Sequence, residues 1–438
     1  MQNKGQKLWK RAKKLIPGGN QLLSKRAEMF LPDQWPAYFS KAKGPYIWDL
    51  DGKKYLDMSI MGIGACPLGY ADEDVNKAVK RVVERGSMAT WNTPDEVELA
   101  ELLTKIHPWA KMVRYARTGG ESMAIASRIA RAYTGRDVIA FCGYHGWSDW
   151  YLATNLKDPK GLNEHLLAGL EPRGVPKGLH GSILPFRYNR IDELEQIIKH
   201  TKGKLAAIIM EPIHGEKPGP GFLKKVRAIA NKTGAVLIFD EISIGFKETI
   251  GGSHLLYKVT PDMAVFSKGM SNGYPMAAII GKKEVMQAAQ DTFISSTYWT
   301  ESIGPAAALA TIKKMQKHNV PKHLIKIGKA ANEGLAILAK RHGINVKIGG
   351  TPTMGFFSFP YGKESNAVRT LFTQEMLERK ILAANRFYPS YAHTKKHLDI
   401  YFKAVDEVFA IMKKAIDEGS VERRLAGPVA HSGFERLN

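Results

Sequence analysis

Two short apolar runs in this chain each end in a residue able to do chemistry. Ala235-Val236-Leu237-Ile238-Phe239 closes on Asp240-Glu241, and Met263-Ala264-Val265-Phe266 closes on Ser267-Lys268-Gly269. Runs this continuous suit strands covered on both faces. In an open α/β sheet the carboxyl ends of such strands form the edge where ligands bind. A carboxylate on that edge can keep a ring nitrogen protonated. A lysine there loses part of its hydration and becomes an amine nucleophile, able to condense with an aldehyde as a Schiff base. A pyridine aldehyde such as pyridoxal phosphate uses both groups together.

Two glycine-bearing turns stand in comparable positions. Thr118-Gly119-Gly120-Glu121-Ser122 follows the strand-like Met112 to Ala116 and opens a helical run, Met123 to Tyr133. A Gly-Gly turn at a helix start offers backbone N–H groups to an anion, although it lacks the GxGxxG of a dinucleotide site. Gly143-Tyr144-His145-Gly146-Trp147 ends the run Val138 to Cys142. An aromatic between glycines can lie flat on a cofactor ring or serve as a core or interface residue. His145 reads as a satisfied polar wall more readily than as an acid–base group. Other enzyme classes lack their companion motifs. The Val236 to Glu241 stretch resembles a Walker B strand, yet no GxxxxGK[ST] occurs. Ser40-Lys41-Ala42-Lys43 and Lys232-Thr233-Gly234 match fragments of penicillin-binding serine enzymes, but no Ser-Asp-Asn accompanies them and the second falls in a helix-to-strand turn. HExxH is absent.

The elements that must position these residues follow from the remaining text. The chain has 438 residues and a net charge of +22, with basic residues spread along its length instead of packed into one tract. That distribution argues against a nucleic-acid partner. No apolar run approaches the roughly 20 residues needed to span a bilayer. Cys66 and Cys142 supply neither a disulfide framework nor a metal cluster, and they read as packing residues of a reducing compartment. With a basic N-terminus that lacks an apolar signal core, the expected location is cytoplasmic.

Helical periods alternate with short apolar strands from about residue 72 to 310. The expected strands are Met112 to Ala116, Val138 to Cys142, Ala206 to Met210, Val236 to Phe239, Ala264 to Phe266 and Ala277 to Ile280, in a mostly parallel sheet. Before them come a helix, Gln6 to Leu15, and a hairpin, Tyr46 to Asp57, turning at Asp51-Gly52. After them come a helix from Ala306 to Lys317, a strand from Phe356 to Phe359, and helices from Asn366 to Lys380 and Thr394 to Asp417. The tail from Ala426 to Asn438 is expected to be loosely ordered. The division expected is 1–71 as the N-terminal segment of a small domain, 72–310 as a large cofactor-binding domain, and 311–438 as the rest of the small domain.

Taken in order, these motifs resemble the class III aminotransferases of fold type I, with glutamate-1-semialdehyde aminomutase and its relatives most alike. The resemblance runs from Leu15-Ile16-Pro17-Gly18-Gly19 through Lys43 to Gly52, Thr134-Gly135-Arg136, Tyr144-His145-Gly146, Phe239-Asp240-Glu241 and Lys268 to Ala392-His393-Thr394. It implies an α/β fold with a mostly parallel large domain and a smaller α+β domain built from both termini. It implies pyridoxal 5′-phosphate as cofactor, Lys268 as the Schiff-base lysine and Asp240 as partner of the pyridine nitrogen. Tyr144 and Ile242 would cover the two ring faces, and Gly119 and Gly120 would hold the phosphate. Thr297 would reach that phosphate from the neighbouring subunit of a homodimer with shared active sites.

Three departures bear on the substrate. Gly120 stands where relatives usually carry a threonine. Tyr298-Trp299-Thr300-Glu301-Ser302 replaces a smaller segment and adds a carboxylate. Asn385-Arg386 occupies the segment where the aminomutase has a glutamate. Arg26, Glu301 and Arg386 are therefore the candidate substrate contacts, Arg26 as a clamp for a carboxylate or as a surface ion pair. The leading expectation is an aminotransferase that takes nitrogen from an amino donor and delivers it to an aldehyde or ketone. An aminomutase making 5-aminolevulinate and a non-catalytic regulator on the same fold are the alternatives.

Overall fold

A computed structural model of the chain describes residues 3–165 and 169–433. It divides into two compact units, one formed by 1–72 with 322–438 and the other by 73–321.

The 73–321 unit is built on seven strands: β1 (Met112–Ala116), β2 (Val138–Cys142), β3 (Ile183–Pro185), β4 (Leu205–Met210), β5 (Val236–Asp240), β6 (Met263–Phe266) and β7 (Ala277–Gly281). Their order across the sheet is β1-β7-β6-β5-β4-β2-β3. Only β7 runs against its neighbours. The continuity of the apolar runs has a direct cause, because successive side chains feed different cores. Ile139, Phe141, Ala207, Ile209 and Ile238 pack in one cluster, while Ala140, Cys142, Ile208, Met210 and Leu237 pack in another. At about 25 cal/mol per Å² of apolar surface removed from water, a fully buried Ile or Leu contributes about 1.5–3 kcal/mol. A one-residue slip of register would exchange the two sets.

The helix after β1, α1 (Gly119–Thr134), begins at the glycine pair itself, four residues before the expected start. Thr118 and Glu121 form a capping box, with Thr118 N–H donating to Glu121 Oε2 at 2.9 Å. The cap satisfies amides at the helix start, so the turn can begin on two glycines despite their low helix propensity. Gly135 closes the helix in the left-handed region, at φ 63°.

The other unit holds an α+β arrangement drawn from both ends of the chain. Phe39–Lys43, Tyr46–Asp49 and Lys54–Asp57 pair antiparallel, and Ile381–Leu382 joins Lys54–Asp57 in parallel. A second sheet pairs Lys347–Thr351, Met354–Ser358 and Arg386–Phe387. The hairpin turn is held by Asp49 Oδ1, which accepts from Asp51 and Lys53 N–H at 2.9 Å each. The helix Val320–His342 was not anticipated from sequence. Its signal was present, in Pro321 near the start and in Ile327, Ala331, Leu335 and Leu338 at helical spacing in the core.

The expectation of a loose tail is corrected for its first eight residues. Ala430 N–H donates to Thr370 Oγ1 at 2.9 Å, Arg369 donates to the Ala430 and His431 carbonyls, and His431 N–H reaches Glu28 O at 2.8 Å. Residues 434–438 lie outside the described residues.

Candidate active site

The carboxyl ends of β1, β2, β4, β5 and β6 share one edge of the sheet, and Gly119, Gly120, Tyr144, His145, Asp240, Ile242 and Lys268 follow or end those strands. Asp240 is the last residue of β5 and is 3% exposed. Its Oδ1 accepts from Ile242 N–H at 3.0 Å, and its Oδ2 meets His145 Nδ1 at 2.8 Å. The other ring nitrogen of His145 lies 3.1 Å from Cys142 O. A carbonyl only accepts, so Nε2 carries a hydrogen, and the Nδ1–Oδ2 contact must then hold a proton of its own. Burial pushes the Asp240 carboxyl above its ordinary range, and the His145 contact opposes that rise. His145 is thus a buried partner of Asp240, more specific than the polar wall read from sequence.

Four side chains hold the turn that carries Tyr144 and His145. Gly143 N–H donates to His165 Nδ1 at 3.2 Å, Tyr144 N–H donates to Glu211 Oε2 at 3.3 Å, Tyr151 Oη donates to Gly143 O at 2.9 Å, and Asp240 takes His145. Gly143 sits at φ 115°, and a Cβ there would meet Glu211 Oε2. The Glu211 carboxylate in turn pairs with His214 Nδ1. Burial alone would raise Glu211 and lower His214; the contact between them reverses both, leaving Glu211 below and His214 above the usual values. Burial and the Asp240 charge raise the Tyr144 phenol. Neither Glu211 nor His214 was singled out from sequence, since a Glu-Pro after a strand has no chemical signature of its own.

The glycine pair at the start of α1 is tightly covered. A Cβ on Gly119 would lie 3.0 Å from Ile242 Cδ1, and one on Gly120 would lie 2.9 Å from Trp147 Cδ1. Gly146, at φ 107°, brings its own backbone against Gly120, where a Cβ would be 3.0 Å from Gly120 Cα. The amides of a helix's first turn have no partner within the helix, so this cradle of glycine backbone suits an anion. Trp147 was read only as the end of a motif.

Lys268 follows β6 and opens a one-turn helix, Lys268–Ser271, in the left-handed region at φ 43°. That conformation costs a non-glycine residue about 1–2 kcal/mol and is typical of functional positions. Its Nζ donates to Ser243 Oγ at 2.6 Å. Gly269-Met270-Ser271-Asn272-Gly273 also spells the GxSxG of a serine nucleophile elbow. Ser271 is fully buried and donates to Tyr274 O at 2.6 Å, so it presents no nucleophile.

Thr297 begins a one-turn helix, Thr297–Thr300, and is exposed on its unit. Glu301 pairs with Arg117 Nε at 2.8 Å and accepts from Ile303 and Gly304 N–H, capping α2 (Ile303–His318). Its carboxylate is therefore engaged inside the protein. Arg26 and Arg386 belong to the other unit. The Arg26 guanidinium packs on Gly18, and Arg386 pairs in a strand near the half-buried Arg369, whose pKa is lowered by burial and by the Arg386 charge. No group of His, Cys, Asp and Glu able to hold a metal occurs among the described residues, and none of their helices is long and apolar enough to cross a membrane.

A buried acid, an amine and a glycine-started helix on one edge of a mostly parallel sheet are the groups that an α/β enzyme of the pyridoxal phosphate-dependent class would present. The comparisons agree with that class. A family model described as aminotransferase class-III matches residues 32–409. The 3-aminobutyryl-CoA aminotransferase of Cloacimonas acidaminovorans (strain Evry) is 31% identical over 421 residues, spanning 93% of this chain and 97% of the relative. The glutamate-1-semialdehyde 2,1-aminomutase of Syntrophobacter fumaroxidans (strain DSM 10017 / MPOB) is 32% identical over 431 residues, with the same coverage of 93% and 97%. Among solved structures, the PLP form of the FumI protein from Sphingopyxis sp. MTA144 superposes with a TM-score of 0.85 at 25% identity, covering 94% of this chain and 97% of that one. The chain belongs to the class III aminotransferases. It is an enzyme that depends on pyridoxal 5′-phosphate and acts on small molecules.

Proposed function

We propose that this enzyme moves an amino group from an amino donor to a small aldehyde or ketone, with Lys268 bonded to the cofactor at rest. The single observation behind the reading is the set of complementary groups on one sheet edge: the Lys268 amine, the buried Asp240–His145 pair and the glycine-started helix α1. The residues fit the cofactor, since Gly119, Gly120 and Gly146 leave no room for a Cβ and the first two open α1, whose first-turn amides have no partner within the helix. Bound there, the cofactor supplies an aldehyde for an amino group and a ring that withdraws electrons from the adjoining carbon. Asp240, held by His145 and Ile242 N–H, keeps a proton on the ring nitrogen. Gly119 and Gly120 hold the phosphate, while Tyr144 and Ile242 confine the ring. The freed amine of Lys268 takes a proton from the substrate carbon on Nζ and returns it. Arg26, as a carboxylate clamp, Glu301, which also pairs with Arg117, and Arg386 are the proposed substrate contacts.

The reading extends to a homodimer in which Thr297 meets the phosphate bound by the partner. It is supported by the exposure of Thr297 and its neighbours, with Phe293 83% and Tyr298 71% exposed beside a cleft of ≈ 400 Å³ lined by Trp147, Phe293 and Trp299. Exposed apolar patches of this kind mark association surfaces. A cytoplasmic location belongs to the same reading, supported by two cysteines left as thiols. The test is a spectral screen of the cofactor-loaded enzyme, asking which amino donors bleach its visible band and which carbonyl compounds restore it. A band that no amino donor bleaches would overturn the reading. The aminomutase alternative is favoured by the 32% identity to the Syntrophobacter enzyme. Formation of 5-aminolevulinate from glutamate 1-semialdehyde with no added donor would establish it instead.

A further inference from the structure

Ser243 is the meeting point of two lysines. Lys268 Nζ donates to its hydroxyl at 2.6 Å, and Lys247 Nζ donates to its carbonyl. Lys247 is 2% exposed, an unusual place for an ammonium group, which is almost never fully buried without a structural reason. We propose that Ser243 is the positioning residue that holds the Lys268 amine, and that buried Lys247 fixes Ser243 in place. The inference rests on the role proposed above for Lys268.

The turn around Ser243 is rigid. It starts at Ile242, whose N–H is bound by Asp240, and Gly245 N–H returns to Glu241 O at 2.8 Å. Gly245 has no room for a Cβ, which would lie 2.6 Å from Glu241 O and 2.8 Å from Phe266 Cδ1. Phe246 N–H donates to Gly251 O at 2.8 Å, and its ring is fully buried. The Glu241 carboxylate, itself fully buried, accepts from Ser253 N–H and Oγ and from His254 N–H, and pairs with His254 Nδ1. The hydroxyl offered to Lys268 therefore sits on a turn bonded on both sides of Ser243, and Lys247 bonds the carbonyl of the same residue. The strained backbone of Lys268 fixes the opposite end of the same link.

Two consequences follow. An amine released from the cofactor has a defined resting place at Ser243 Oγ, from which it can act on the substrate carbon without searching for orientation. Lys247, bonded to the carbonyl of the same residue, keeps that hydroxyl in place when the amine of Lys268 leaves it.

The test uses the full-length chain in two states. Without cofactor, trace acylation at fixed pH followed by peptide mass spectrometry reads how reactive Lys268 is. Lys247→Met, which frees Ser243, should change the rate of Lys268 labelling by about tenfold, while Lys247→Arg, which keeps a donor for the Ser243 carbonyl, should stay near wild type. With cofactor, Ser243→Ala should keep the visible band but weaken its induced circular dichroism and slow bleaching by an amino donor by about tenfold or more. Ser243→Thr, which keeps the hydroxyl, should restore both. Unchanged labelling in Lys247→Met together with unchanged dichroism in Ser243→Ala would overturn the inference while leaving the proposed function standing. Altered labelling in a wild-type frame that forms no band reducible onto Lys268 would do the reverse.

Discussion

Acidification from about pH 7 to about pH 5 should weaken this protein by several kcal/mol through three buried histidines, because each would gain a proton where the fold needs a lone pair. His393 Nδ1 accepts from Ser390 N–H at 3.0 Å while its Nε2 donates to Asp57 O at 2.8 Å. His107 Nε2 accepts from Gly252 N–H at 2.9 Å, and His165 Nδ1 accepts from Gly143 N–H at 3.2 Å. Protonation would set an N–H against an N–H in every case. Burial, the largest influence on all three, takes each down to about 4. The unfolded chain, with values near 6.5, binds more protons between those limits. Stability is therefore complete above about 6.5 and is lost as the pH falls toward about 4; each histidine accounts for about 2 kcal/mol between pH 7 and pH 5. His393→Asn keeps an acceptor near the Nδ1 position and removes the titration. Urea unfolding at the two pH values should show the variant losing about 2 kcal/mol less than wild type on acidification. An identical pH dependence in the two proteins would refute the reasoning.

Lys268→Ala should leave a folded chain whose cofactor cannot be fixed by borohydride at that position, read by mass spectrometry. Asp240→Asn should retain the covalent link yet lose at least about a hundredfold in the rate of donor bleaching, since an amide cannot keep the ring nitrogen protonated. Gly119→Ala, whose methyl would meet Ile242 at 3.0 Å, should raise the cofactor dissociation constant about tenfold, measured by absorbance titration. Thr118→Ala removes the helix cap and should lower stability by about 1 kcal/mol in chemical denaturation.

Strands were the most legible part of this sequence. β1 and β2 fall on their expected limits, and β4 to β7 differ by a residue at one end. Apolar continuity bounded by glycine or a charge leaves few other registers. Helix starts were less legible, as α1 shows, because a capping box can start a helix on residues whose propensity argues against it. The docking of residues 426–433 was hidden because it depends on Thr370, Arg369 and Glu28, all far away in the chain.

By itself the sequence determined the family, the sheet that carries the site and the cofactor chemistry, because strand ends with an acid, a lysine and glycine turns in fixed order are local patterns. Tertiary structure alone decided what each group is bonded to. It joined His145 to Asp240, set Glu211 and His214 behind Tyr144, engaged Glu301 with Arg117 and brought Lys247 and Lys268 onto Ser243. Those partners come from different strands and loops, and the proton each group holds depends on burial and neighbours that no local pattern records.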